Sequence, residues 1–359
     1  MTLLVDATTA QHTRGIRTVI DGVLNELPRV SQDTIVAAGP DLRGPEGLRL
    51  RRVPGTGSRG GRLLYQRLVL PADIALLSAG AGRIDRVLLL DSYVPLVRPQ
   101  RCMRYAALIH DTLPLTHPSF WPLPNRLVKR SAFAALRRAR PTLFTSSDFN
   151  AREIDRLLGA SARVVRFGCG QLLDAEADDA LVSNLPEQEP YLIFVGAIEA
   201  RKDTLSLLDA FELITPLLDS PVRLLIVGSG RGTYHDAVRR RIARSRCSDR
   251  IELLHNQTRE ATLRLLARAR ALIFPSLAEG FGLPILEALA LGTPVVASDI
   301  PAIRSWAGDT ILYGPPAQPA DWVGPILSAV DSSSERRRAG QAFAQGFRWR
   351  SCAEVMVDF

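Results

Sequence analysis

Cysteine is scarce in this 359-residue chain: Cys102, Cys169, Cys247 and Cys352 stand far apart, with no C-x-x-C pair. That scatter excludes a cysteine-bound zinc site and a disulfide framework, so reduced thiols of a cytoplasmic protein are the simplest expectation. No uninterrupted apolar run approaches the roughly 20 residues that a bilayer-spanning helix needs. The opening "MTLLVDATTAQHTRG" lacks the basic start and long apolar centre of a secretory leader, and a soluble, unsecreted protein is expected. There is no G-x-S-x-G elbow, which removes one common hydrolase nucleophile. No Asp pair or His cluster stands at a predicted strand end, so no metal cofactor is expected. Acidic charge is in deficit, with Lys and Arg exceeding Asp and Glu by a net +8. A basic balance favours an anionic partner: a nucleotide, a phospholipid surface or a nucleic acid.

What is present points to α/β construction. A hydrophobic content of 46% is enough for two packed cores, and the length suggests about two domains. Short apolar runs alternate with longer helical patterns, as parallel sheets with crossover helices require. In the first half, strands are expected at "TLLVDA", "TIVAAG", "RVLLLD", "YAALIHD" and "TLFTSS", with helices at "GIRTVIDGVLNEL" and "NRLVKRSAFAALRRAR". In the second half, strands are expected at "YLIFVG", "VRLLIVG", "IELLH", "ALIFPS" and "TPVVAS". The acidic, polar stretch 173–190 reads as a linker. The expected organisation is a doubly wound domain over 1–172, a second over 191–340, and a closing helix over 341–359 that packs back toward the first. In open sheets of this kind ligands sit at the carboxyl ends of the strands.

Two motifs at such strand ends carry the chemistry. "YLIFVG" ends at Gly196 and runs through "AIEARKD", placing Arg201 and Lys202 together at a helix start. Arg offers a planar fork for phosphate oxygens and Lys a compact charge. Cations are disfavoured at a helix amino terminus, and a bound anion would resolve that conflict. After "ALIFPS" comes "EGFGLPILEALALG", with Glu279 and Glu287 at the ends of seven uncharged residues. Pro284 suits a first helical turn and Gly292 a carboxyl cap. The backbone N–H groups of Phe281, Gly282 and Leu283 then face an anion site without a Lys of its own. A carboxylate one turn into the helix, Glu287, suits the paired hydroxyls of a ribose.

These motifs resemble the retaining glycosyltransferases of family 4. The family's Glu, seven residues, Glu pattern matches Glu279 to Glu287, and its "VG…RKN" segment matches Val195 to Asp203, with Asp203 in place of Asn. The likeness covers about 191–312. It implies the GT-B fold: two facing Rossmann-like domains with the active site in the cleft between them. It further implies that Arg201 and Lys202 bind the diphosphate of a sugar nucleotide, that Glu287 takes the ribose and that Glu279 faces the transferred sugar. The backbone at Gly196 and from Gly280 through Phe281 and Gly282 to Leu283 lies against sugar and phosphate.

The first half is less explicit. "IHDTLPL" sets His110 and Asp111 at a strand end, and the matching "HD" pair of the family has its histidine beside the donor sugar. "TRGIRTVIDGV" resembles the family's amino-terminal loop, where glycine lets backbone approach the ligand; only Gly15 remains of the two glycines relatives often carry. "GTGSRG", Gly55 to Gly60, fits G-x-G-x-x-G formally, but "LRLRRVP" before it is a poor buried strand, so a loop near the acceptor is expected rather than a nicotinamide site. In "RLVKRSAFAALRRAR", Val128, Ala132, Ala135, Leu136 and Ala139 share one helix face, opposite Arg126, Lys129, Arg130, Arg137 and Arg140. That second face is either solvated or a dock for an anionic membrane. With Phe133 the only aromatic there, nucleic acid is not expected.

The expected activity is retaining, metal-independent transfer from a nucleotide diphosphate sugar to a hydroxyl of a glycan or lipid-linked acceptor. GDP-mannose is the first choice, because "GAIEARKD" is nearest the mannosyltransferase-like subgroup. The rivals are a GT-B-like sugar nucleotide epimerase and a catalytically silent partner subunit.

Overall fold

Strand-forming runs such as "LLV" and "VLLL" are apolar at every position, as strands covered on both faces must be. In a computed structural model of the chain, residues 2–11, 14–80, 83–92, 103–169 and 190–359 are described. Cys102 and all of the expected linker except Pro190 lie outside them. The chain divides into two units, Met1–Gly168 with Arg348–Phe359, and Cys169–Phe347.

The first unit holds a parallel sheet in the order β3-β2-β1-β4-β5-β6-β7. Its strands are β1 Thr2–Asp6, β2 Thr34–Ala38, β3 Arg49–Arg52, β4 Ile84–Leu89, β5 Arg104–Ile109, β6 Thr142–Thr145 and β7 Ala162–Val164. All five residues of β1 are buried. β3, within "LRLRR", is as expected no buried strand but an edge one: its arginines are exposed and it closes the sheet edge, where backbone pairing with β2 needs no apolar side chains. The "GTGSRG" stretch leads straight into the helix Arg59–Leu64, with Ser58 as its cap accepting from the Gly61 N–H.

The second unit holds the order β10-β9-β8-β11-β12-β13. Here β8 is Tyr191–Val195, β9 Arg223–Val227, β10 Ile251–Leu254, β11 Ala271–Phe274, β12 Val295–Ser298 and β13 Leu312–Gly314. In both sheets the chain builds outward on one side of its first strand and then crosses to the other. The reversals fall between β1 and β4 and between β8 and β11, and these are the switch points where such folds take ligands.

The unit boundaries differ from the expected 172 and 340. Helix Ser334–Ala344 packs on helix Leu283–Ala290 and so belongs to the second unit. The first unit regains the chain at Arg348; there helix Trp349–Val357 lies against helix Arg14–Val30, and Trp349 stacks on Phe167 at 5.9 Å.

The basic helix spans Leu123–Ala139. Ala132, Phe133, Ala135 and Leu136 are buried, whereas Ala139 of the expected apolar face is exposed. Lys129 leaves the expected cationic face: its Nζ donates to Ser92 Oγ at 3.0 Å and lies 3.6 Å from Asp91 Oδ1. Arg126 turns back to the Trp121 carbonyl. Arg130, Arg137 and Arg140 remain exposed. No helix among the described residues is long and apolar enough to cross a membrane.

Candidate functional site

The loops that leave β8 and β11 meet at the switch point of the second sheet. Gly196 follows β8 and donates to the Val227 carbonyl at 3.0 Å. A Cβ on Gly228 would lie 1.8 Å from the Gly196 oxygen, so this approach of backbones requires glycine. The chain then makes the turn Ala200–Lys202 and enters helix Thr204–Ile214 through Asp203, at φ 47° and ψ 45°. Asp shares with Asn a short polar side chain that tolerates this left-handed conformation, so the exchange of the family's Asn is conservative here. Across the junction, the Leu277 N–H donates to the Arg201 carbonyl at 2.8 Å and fastens the two loops. Gly282, at φ 92°, then starts helix Leu283–Ala290, with Pro284 in its first turn.

This fastening brings Arg201, Lys202 and Glu279 together. Lys202 Nζ donates to Glu279 Oε1 at 2.5 Å, and Arg201 Nη1 lies 3.1 Å from the same oxygen. Arg201 also donates to the Ala278 carbonyl at 2.9 Å and to Glu199 Oε1 at 2.6 Å. The Lys202 ammonium stands over the Phe274 ring, 4.5 Å from its centroid. The conflict between cations and a helix amino terminus is therefore relieved internally by two carboxylates, where the sequence reading invoked only a ligand.

Burial alone would raise the Glu279 carboxyl, but Lys202 and Arg201 overcome it and hold it down at about 2. Burial also pushes Lys202 down, against the pull of Glu279. The two tendencies oppose each other, and the ion pair prevails at neutral pH because the carboxylate answers two cations at once. Glu287 is buried one turn into its helix and accepts from Arg259 Nη1 at 2.8 Å. Arg259 opens the helix Arg259–Arg268, capped by Thr258 after β10. Sequence reasoning missed it, although "NQTRE" follows a strand end. What results is a cationic floor with two buried acids on either side of a helix amino terminus. Such a floor suits an anion flanked by hydroxyl-bearing groups.

Gly15 and His110 belong to the first unit. Gly15 is exposed near the start of helix Arg14–Val30. His110 follows β5, and its Nε2 lies 3.0 Å from the Leu90 carbonyl. A carbonyl only accepts, so Nε2 carries the proton and a neutral ring keeps Nδ1 as an acceptor. Burial pushes His110 toward that neutral form. Two buried acids escaped the sequence reading, Asp6 at the end of β1 and Asp91 after β4. Gln66 Nε2 donates to Asp6 at 2.7 Å, while Lys129 offsets the burial of Asp91 and lowers it. The signal was visible, since "LLVD" and "LLLD" both finish apolar runs with Asp. Among the described residues no group of three or more His, Cys, Asp or Glu stands ready for a metal ion.

Known proteins resemble this chain in sequence and in fold. The model of the family "Glycosyl transferases group 1" matches residues 177–345. The chain is 31% identical over 272 residues to the O-antigen chain mannosyltransferase B of Escherichia coli, covering 72% of this chain and 71% of that one. It is 26% identical over 281 residues to the serotype-specific mannosyltransferase WbdA of Escherichia coli, covering 71% of this chain but 34% of that longer one. Among solved structures, sucrose-phosphate synthase from Thermosynechococcus elongatus superposes with a TM-score of 0.78 at 18% identity, over 99% of this chain and 98% of the other. The glycosyltransferase WaaG superposes with a TM-score of 0.73 at 15% identity, over 100% and 99%. With two parallel-sheet Rossmann-like units and a relative of this identity matched over most of both chains, the chain belongs to the glycosyl transferases group 1 family.

Proposed function

We propose that this glycosyltransferase moves mannose from GDP-mannose to a hydroxyl of a glycan or lipid-linked acceptor in cell-surface polysaccharide synthesis. The observation that carries the reading is the Arg201–Lys202–Glu279 cluster at the switch point of the second sheet. The names of the mannosyltransferase relatives support the choice of sugar.

The chemistry follows from where charge grows. As the bond from sugar to diphosphate breaks, negative charge accumulates on the leaving group and positive charge on the sugar. Arg201, Lys202 and the start of helix Leu283–Ala290 form a fixed positive environment for the former. Glu279, ionised and buried, faces the latter. Its two ion pairs make it a poor covalent nucleophile. Attack by the acceptor from the face of the departing diphosphate, with retained configuration, suits this arrangement better. Incubation with labelled GDP-mannose and an acceptor extract separates the readings: an α-linked product carries the proposal, while isomerised sugar nucleotide or no turnover overturns it.

Metal independence is part of the proposal, because Arg201 and Lys202 take the role a divalent ion plays for other diphosphates. Excess EDTA is expected to leave transfer within twofold of the untreated rate. Loss in EDTA that manganese or magnesium restores would refute it.

A cytoplasmic enzyme docked on the membrane is also proposed. Arg130, Arg137 and Arg140 are exposed on helix Leu123–Ala139 or its cap, and the same helix exposes Leu123 and Leu127 at 62% and 54%. Basic charge beside apolar side chains suits an anionic bilayer surface. Changing all three arginines to Gln is expected to weaken binding to anionic vesicles, at about 1 kcal/mol per residue. Transfer to a short soluble acceptor is expected to stay near wild type. Unaltered vesicle sedimentation would mean that the face is merely solvated.

A further inference from the structure

We infer that Trp306 is the positioning residue that aims a backbone N–H of the Glu279–Leu283 loop at the donor, an inference that rests on the sugar-nucleotide reading of that loop. Trp306 lies on helix Pro301–Ala307, outside every motif considered above. Its indole Nε1–H donates to the Phe281 carbonyl at 2.9 Å, and its ring stacks on the Phe281 ring at 4.4 Å with 17° between planes. Phe347 closes on the indole edge-to-face at 5.6 Å, and Phe343 packs on Phe347 at 5.3 Å. The indole is thus held from behind while its one polar atom grips the loop.

The consequence follows from the planarity of the peptide bond. In a trans peptide, the carbonyl of one residue and the N–H of the next point in opposite directions. Anchoring the Phe281 carbonyl on the indole therefore turns the Gly282 N–H away from it. That N–H has no hydrogen-bond partner among the described residues, although Gly282 is buried. Gly282 also stands at φ 92° at the start of helix Leu283–Ala290, where the helix ends its row of N–H groups. A buried, unpaired donor costs stability unless something accepts from it. A phosphate oxygen of a nucleoside diphosphate is the chemistry that fits. Without the indole N–H, the peptide between Phe281 and Gly282 loses this anchor, and the aim is loosened with no change to any residue that touches the ligand.

The test uses the whole chain with Trp306→Phe, which keeps a ring in the cluster and deletes the N–H. A second variant carries benzothienylalanine at 306, which keeps the indole shape and likewise lacks the N–H. GDP is titrated by calorimetry, and transfer from GDP-mannose is measured per GDP-binding site. Both variants are expected to bind GDP about fivefold more weakly and to lose about tenfold in kcat per site, with wild-type stoichiometry. A merely structural role would lower the melting temperature and the number of binding sites, not kcat per site. GDP affinity and kcat per site both within twofold of wild type in the benzothienylalanine variant would overturn the inference. Wild-type protein that binds GDP without transferring mannose would sink the transfer reading alone, and the change in GDP affinity would still decide the role of Trp306. Wild-type protein that does not bind GDP overturns both.

Discussion

Arg201→Ala and Lys202→Ala are each expected to lower turnover by about 10² or more, because each removes fixed positive charge from the proposed site of the departing diphosphate. Neither side chain is an ordinary surface cation. Lys202 is buried against Glu279 and the Phe274 ring, and Arg201 is held by Glu199, Glu279 and the Ala278 carbonyl. Lys202→Ala leaves a buried carboxylate with one cation fewer, so a lower melting temperature is expected too, by more than for Arg201→Ala. The double change Lys202→Met with Glu279→Gln removes both charges. It is expected to recover much of the lost stability but none of the turnover. Steady-state transfer, normalised to the folded fraction by circular dichroism, is the measurement. Near wild-type turnover in both single variants would end the assignment of these residues to the diphosphate.

The pH dependence of the same pair has a definite sign. Glu279 is held at about 2, below its ordinary 4.5. A carboxyl lowered in the folded state contributes stability that is complete above its ordinary value and fades as pH falls toward the folded one. The contribution of the Glu279 carboxylate is therefore expected to be complete above about pH 5 and to fade in acid below that.

Glu279→Gln and Glu287→Gln are expected to damage the enzyme in different ways. Glu287 is the ribose carboxylate of the proposal, so Glu287→Gln weakens GDP and GDP-mannose alike. Hydrogen bonds to charged groups are worth roughly 1.5–3 kcal/mol, which is tenfold or more in affinity. The Arg259 partner of Glu287 loses its carboxylate in the same step. In the same proposal Glu279 faces the sugar and its growing positive charge, so Glu279→Gln is expected to reduce turnover strongly while leaving GDP affinity unchanged or improved. Improvement is reasonable because Gln no longer competes with phosphate for Lys202 and Arg201. Calorimetry with GDP beside steady-state transfer decides it. Equal loss of GDP affinity in the two variants would mean that the acids do not divide the donor between its two ends.

By itself the sequence determined what depends on neighbours along the chain. Apolar runs of strand length, the first-turn Pro284 and the carboxyl-cap Gly292 are set by local sterics and hydrogen bonding, and with them the two doubly wound units were legible. The spacing of Glu279 and Glu287 was legible for the same reason, since one strand-turn-helix holds both. Tertiary structure decided everything that joins distant segments. Lys202 and Glu279 are 77 residues apart, and no local pattern announces that each neutralises the other. The same holds for Lys129, whose helical period assigned it to solvent until the sheet brought Asp91 to it. β3 became a strand because β2 offered an unpaired edge, not because "RLRR" favours one. Trp306 met Phe281 only when the fold set helix Pro301–Ala307 beside the loop that follows β11. Local propensity is written residue by residue, whereas the pairing of buried charges and donors depends on which strand ends the topology sets together.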